Sequence, residues 1–150
     1  PSMPHNRYWQ LNELTLENEV LRIGVTELLA IPSDVAEPIT INGVEISGNP
    51  LRPRLNSKNI SLKFSSITEF RVMPEVLSWP AYASEEAVIP SLLYKCSGLY
   101  FYGKIWPQDH ETYHYHLGWV KVARLHCYIV HTETVDIYVL TDSLPSIFYI

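Results

Sequence analysis

Cysteine is scarce: the chain has two, Cys96 and Cys127, in 150 residues. Neither lies in a Cys-x-x-Cys pair, which removes zinc-ribbon and thioredoxin-type readings. A chain of this length needs no staples, because it buries enough surface to build a full core. Glycine is scarce as well, six in all. No Gly-x-Gly-x-x-Gly or Gly-x-x-x-x-Gly-Lys run occurs, so no phosphate-cradling loop is encoded. There is no Gly-x-Ser-x-Gly elbow to expose a nucleophilic serine. No apolar run reaches the ~18 residues that a spanning helix needs, and the first residues do not resemble a secretory leader. Positive charge is in the minority, with 11 Lys and Arg against 16 Asp and Glu and a net charge of −5. That balance disfavours nucleic acid, whose binding rests on basic contacts to phosphate. The densest basic cluster, Arg52, Arg54 and Lys58 beside Pro50 and Pro53, reads as a solvated loop. These absences point to a soluble, cytoplasmic, reduced protein with no membrane and no nucleic-acid partner.

What is present favours strands. Apolar residues make up 47% and charged residues 18%, the balance of a chain that can bury a core rather than a disordered one. Ten Tyr and four Trp join many Val, Ile and Thr, residue types that suit a pleated, half-buried surface. Residues 20–31 alternate, with Leu21, Ile23, Val25, Leu29 and Ile31 on one face and only Glu27 interrupting. Asn42-Gly43 between two short alternating runs is the strongest local hairpin signal, since both residues tolerate the positive φ of a type I′ turn. Residues 60–72 alternate again, but Ser66 and Thr68 break the pattern, which predicts a bend or a bulge. Ser84 with Glu85 and Glu86 reads as a helix start. Pro90 reads as the start of a second short helix reaching Cys96, with Gly98 as its stop. Residues 99–106 and 113–131 read as strands, the latter broken near Ala123. Leu125 to Leu140 reads as a second hairpin turning at Thr132-Glu133-Thr134.

No repeat and no long polar linker divides the chain, so residues 1–150 read as one domain, with 1–6 outside the folded part. Pro1-Ser2-Met3 reads as a remnant ahead of a native start at Met3. The expected fold class is mainly β: a single antiparallel β-sandwich or partly open barrel with one or two short helices. The alternative is an α+β domain in which residues 76–98 cover one face of a sheet.

The histidine-rich stretch Asp109-His110-Glu111-Thr112-Tyr113-His114-Tyr115-His116 carries the most suggestive chemistry. On a strand, His114 and His116 share a face, about 6.5–7 Å apart. Two such imidazoles can chelate a divalent transition metal, with His110 or Asp109 from the preceding turn. The pair resembles the His-x-His of cupin metalloproteins, but the residues after His116 read Leu117-Gly118-Trp119-Val120-Lys121-Val122, without the acid that family places there. A third ligand would come from elsewhere, with His126 and Asp136 as candidates. The competing reading is an exposed strand of solvated histidines. Cys127 alternates with Leu125 and Ile129 and reads as a buried thiol. Its neighbour His126 points to the opposite face and cannot serve it as a base. Glu27 and Asp136 interrupt apolar runs and read as solvent-facing. Tyr100, Tyr102, Trp106, Tyr113, Tyr115 and Trp119 form an aromatic stripe that serves either sheet packing or a partner surface.

Two stretches, ISLKFSSITEFRVMPE and ARLHCYIVHTETVDIYVLTDSLPSI, resemble in strand layout the small acidic bacterial proteins of the toxin-immunity and uncharacterised kind. The resemblance implies a protein without catalytic residues that blocks another protein by binding it. An acidic surface would suit a basic target. Two functional expectations therefore stand. One is a non-catalytic binding protein, not an enzyme and without cofactor, acting on another protein through acidic and aromatic surface. The other is a metal- or small-molecule-binding β protein built on His114 and His116.

Overall fold

The computed structural model describes residues 8–30, 39–46, 51–74, 86–98, 101 and 124–150. Twelve strands follow one another: β1 (Tyr8–Glu17), β2 (Val20–Ala30), β3 (Ile39–Ile41), β4 (Val44–Ile46), β5 (Leu51–Arg52), β6 (Asn59–Ser65), β7 (Ile67–Pro74), β8 (Glu86–Ile89), β9 (Leu93–Ser97), β10 (His126–His131), β11 (Val135–Thr141) and β12 (Ser146–Tyr149). They form two antiparallel sheets. The first runs β1-β2-β6-β12, with β5 also paired to β2, and the second runs β7-β11-β10-β9-β8; β3 and β4 pair apart as a hairpin. The fold is β-sandwich-like, and among the described residues no barrel closes.

One core fills the space between the sheets. Leu21, Ile23, Val25, Ile60, Leu62 and Phe64 of the first sheet meet Leu93, Tyr128, Val130, Ile137 and Val139 of the second, with Trp9 closing one end. The period of two in β2 and β6 produces this directly, because every second side chain points to the same face. Pairing in register (Leu21 with Phe64, Ile23 with Leu62, Val25 with Ile60) aligns the apolar rows across the strands. The first sheet's other face carries polar side chains. There the Asn12 amide donates to Thr26 Oγ1 at 2.5 Å, and Thr26 Oγ1 donates to Asn59 Oδ1 at 2.7 Å. Asn12 is the extra residue of a bulge in β1. Its side chain lies over Gly24, where any Cβ would collide with it.

The second sheet differs, since both of its faces are buried in β10 and β11. Its outer face holds a separate apolar cluster of Cys96, Phe101, Leu125, Cys127, Ile129, Tyr138 and Leu140.

The chain passes between sheets at a shared corner. Ser66, with a left-handed φ of 53°, separates β6 in one sheet from β7 in the other. The return passage follows β11, whose last residue Thr141 donates its hydroxyl toward the Ser65 and Ser66 carbonyls, each at 3.2 Å. The break expected near Ser66 is thus a crossing from sheet to sheet. The Asn42-Gly43 turn has positive φ at both residues, 51° and 79°, as a type I′ hairpin requires. The hairpin between Leu125 and Leu140 is also present, as β10 and β11.

Two elements differ in kind. Residues 90–96, expected as a short helix, form a turn and then strand β9. Pro90 and Ser91 sit at the turn's centre, Ser91 has φ 68°, and Leu92 N–H donates to Ile89 O at 3.0 Å. Proline followed by a left-handed residue makes a type II turn. Proline's fixed φ suits the first turn of a helix and this turn equally. Nor does a helix started at Ser84 continue, because Glu86–Ile89 is strand β8.

Candidate functional site

The histidines singled out for metal, His110, His114 and His116, lie outside the described residues, as does Asp109. So do the aromatic candidates Tyr100, Tyr102, Trp106, Tyr113, Tyr115 and Trp119. Two possible further ligands are described, and the fold separates them. His126 lies on the core side of β10, its ring 6.4 Å from that of Tyr128. Asp136 lies on the opposite face of the same sheet, in register with His131. Among the described residues no group of three or more His, Cys, Asp or Glu side chains is placed to hold a metal.

Two acids expected in solvent are buried. Asp136 is 0% exposed, and its Oδ1 lies 2.9 Å from Nδ1 of His131. It does point away from the core, as its alternation with Ile137 and Val139 requires, but that outer face is itself covered. The His131 ring meets Tyr94 edge-on at 5.1 Å, and the Tyr94 hydroxyl accepts from the Ser91 N–H at 2.9 Å. The result is a polar group at one end of the outer face, tied to two hairpin turns. Glu27 is likewise buried and stays on the core side of β2, opposite Trp9. Its backbone N–H donates to Lys58 O at 2.8 Å, and its Oε1 accepts from the Lys58 N–H at 3.4 Å. A carboxylate is accommodated at this end of the core because backbone donors reach it.

Cys127 is fully buried, as its alternation requires. Arg54 and Lys58 are exposed in the loop before β6, whereas Arg52, read as part of that loop, is exposed on β5, paired with Leu29 of β2. Two polar atoms inside the core, Trp9 Nε1 and the Tyr128 hydroxyl, have no hydrogen-bond partner among the described residues. Burial pushes the Tyr128 phenol above its ordinary value of 10.0, and the nearby charge of Glu86 adds to the rise.

The described surface has one concentration of exposed apolar side chains that the sequence reading missed. Leu144, Phe148, Tyr149 and Ile150 are 75%, 51%, 68% and 85% exposed. Three of them lie on or directly after β12, which among the described residues pairs only with β6 and ends the strand order of the first sheet. Phe148 faces outward beside Ser61, while Ile147 packs against the core. The available signal was the short run Ser146-Ile147-Phe148-Tyr149-Ile150, which is aromatic and free of charged side chains. Among the described residues no helix is long and apolar enough to cross a membrane. Comparison with protein-family models, with characterised proteins and with solved structures returns no match.

Proposed function

We propose that this chain is a non-catalytic binding protein that acts by contact with another protein. The observation that carries the reading is the β12 edge: a strand margin that no described residue pairs, with Phe148, Tyr149 and Ile150 held in solvent. Such an edge offers a partner both main-chain hydrogen bonds and aromatic area. Tyr and Phe are effective anchors because they bring large, rigid surface with few rotamers to freeze. The net charge of −5 would favour a basic partner, chiefly by speeding encounter. An immunity-type inhibitor of a basic protein is the narrower form of the same reading.

The test compares the full chain with a Phe148→Ser/Tyr149→Ser variant as immobilised bait in extract from its own cell type. The reading expects one partner retained by the unaltered chain in near-equal amount and lost from the variant. Circular dichroism on both baits establishes that the variant is folded. Retention of the same partner by both would move the surface away from β12. Retention of nothing specific by either would remove the binding reading.

A further inference from the structure

The two cysteines are distant in sequence and adjacent in the fold. Cys96 on β9 and Cys127 on β10 stand directly opposite each other in register. Both carry reduced thiols and both are buried. They share the apolar cluster on the outer face of the second sheet with Ile129, Tyr138 and Leu140. The Cys96 thiol donates to the Cys127 carbonyl at 3.4 Å, so its sulfur already leans toward β10. The phase of the ladder follows from its two ends. Gly98 N–H donates to Leu125 O at 2.9 Å, and His131 N–H donates to Leu92 O at 2.8 Å. Hydrogen-bonded pairs recur at every second residue, which places Cys96 and Cys127 in one of them, with Cα atoms ~5.5 Å apart. That spacing falls inside the disulfide window of roughly 4.4–6.8 Å. The Cβ atoms of facing strand residues stand about 4.5–5.5 Å apart, against about 3.8 Å in a relaxed bridge. Closure therefore pulls the two strands together locally and leaves a strained bond, and strained bonds are the readily reduced ones.

We propose that Cys96 and Cys127 are a reversible redox pair that closes into a cross-strand disulfide in the presence of a small disulfide oxidant. One protein thiolate attacks the oxidant RS–SR and expels RS⁻, leaving a mixed disulfide on the protein. The second protein thiolate attacks the protein sulfur of that mixed bond and expels the other RS⁻. The protein loses two protons and two electrons and gains one S–S bond, and the oxidant takes up both and leaves as two RSH. Access to the buried sulfurs comes from local opening of the β8–β9 hairpin. This hairpin is the sheet's edge: β8 is four residues long, its pairing is irregular at Ala87/Ile89, and Glu86, Ala87 and Val88 are exposed. Short edge elements open at lower free energy than the core of a sheet.

The experiment incubates the folded full chain with excess oxidised glutathione, quenches by alkylation, and reads alkylated thiols and intact mass. The expected result is a fall from two alkylated thiols to none. The mass drops by two hydrogens, and a non-reduced digest yields one peptide pair joining Cys96 to Cys127. Reduced glutathione restores both thiols. The single variants Cys96→Ser and Cys127→Ser gain only a glutathione adduct. Two outcomes overturn the proposal. In one, both thiols persist in the folded chain while the same mixture oxidises it in denaturant. In the other, the oxidised product of the unaltered chain is an adduct or an intermolecular dimer.

Discussion

Replacing Tyr128 by Phe is expected to stabilise the protein, and to do so increasingly as pH rises. The Tyr128 ring is fully buried, packed against Phe64 with centroids 5.6 Å apart. Its hydroxyl has no hydrogen-bond partner among the described residues. In the unfolded chain that hydroxyl is hydrated, so folding removes its water without replacement, a penalty of about 1–3 kcal/mol. Phenylalanine keeps the ring and its contact and deletes the penalty. Relaxation around the shortened side chain returns part of the gain, so a net stabilisation of ~1 kcal/mol is expected at neutral pH, or about 2–4 °C in Tm for a chain of this size.

The pH dependence gives a second readout with a definite sign. The phenol's folded value lies above its ordinary 10.0 because burial, and then Glu86, disfavour the phenolate. Above pH 10 the unfolded chain loses this proton while the folded chain still holds it, so unfolding is increasingly favoured. The contribution is fully present below pH 10 and is lost as pH rises toward the folded value, at about 1.36 kcal/mol per unit of separation. Urea denaturation at pH 7.5 and pH 10.5, on the unaltered chain and Tyr128→Phe, isolates the effect because the other nine of the ten tyrosines are common to both. The stability gap should widen at the higher pH. A Tyr128→Phe protein less stable by 1 kcal/mol or more at neutral pH, or a gap that does not change with pH, would refute the reasoning.

Three other perturbations follow from the same geometry, and one measurement separates the two functional readings. Thr141→Val removes the hydroxyl that bonds the Ser65 and Ser66 carbonyls and accepts from Ser143 N–H; a loss of about 1–3 kcal/mol is expected in urea denaturation, with Thr141→Ser close to the unaltered chain. Gly24→Ala should cost about 1–3 kcal/mol by overpacking, because its Cβ meets Asn12, and Asn12→Ala in the same chain should recover most of that by calorimetry. Asp136→Ala leaves His131 Nδ1 without the carboxylate at 2.9 Å; a loss of about 1–3 kcal/mol, the cost of a buried polar group deprived of its partner, is expected in urea denaturation. Elemental analysis of chelator-free protein should find no stoichiometric transition metal, and near-stoichiometric zinc that disappears in His114→Ala/His116→Ala would favour the metal reading over the binding one.

The strands that alternate cleanly are legible in the sequence itself. β2, β6, β10 and β11 place their core residues by parity alone, and Asn42-Gly43 announces its own turn. Sequence reasoning read no strand at β1 and β12, the two ends of the first sheet's path, nor at β5, and it read helix where β8 and β9 stand. Most of β1 is exposed or half-exposed, so edge position and a bulge at Asn12 blur its period. Its turn to β2 uses Asn18-Glu19, both with positive φ, and the glutamate hides a hairpin that a glycine would have advertised. Pro90 misleads for a different reason: its ring satisfies the start of a helix and the second position of a turn alike. Only the backbone of Ser91 distinguishes them. Of the candidate site residues, Cys127 lies where its alternation puts it. The β12 aromatics were missed because they form a shorter run than the aromatic stripe upstream.

Asp136 and Glu27 show what alternation cannot supply. Parity assigns a side chain to one of two faces, but it does not say whether that face is wet. In the first sheet the faces differ, apolar toward the core and polar outside. In the second sheet β10 and β11 are buried on both faces, so a residue turned away from the core enters another buried layer. Asp136 has the expected direction and a different environment. Glu27 has the other direction, held on the core face by the register that aligns Val25 with Ile60 and reached there by the Lys58 N–H. The same asymmetry bears on where a partner would sit. Tyr138, Ile129 and Cys127 are 0% exposed on the second sheet's outer face, so they are closed to a docking protein without rearrangement. Phe148 and Tyr149 already stand in solvent on a strand that, among the described residues, has one unused edge. A partner at β12 therefore has no buried layer to displace, whereas one at the second sheet's outer face would have to open the cluster that holds both cysteines.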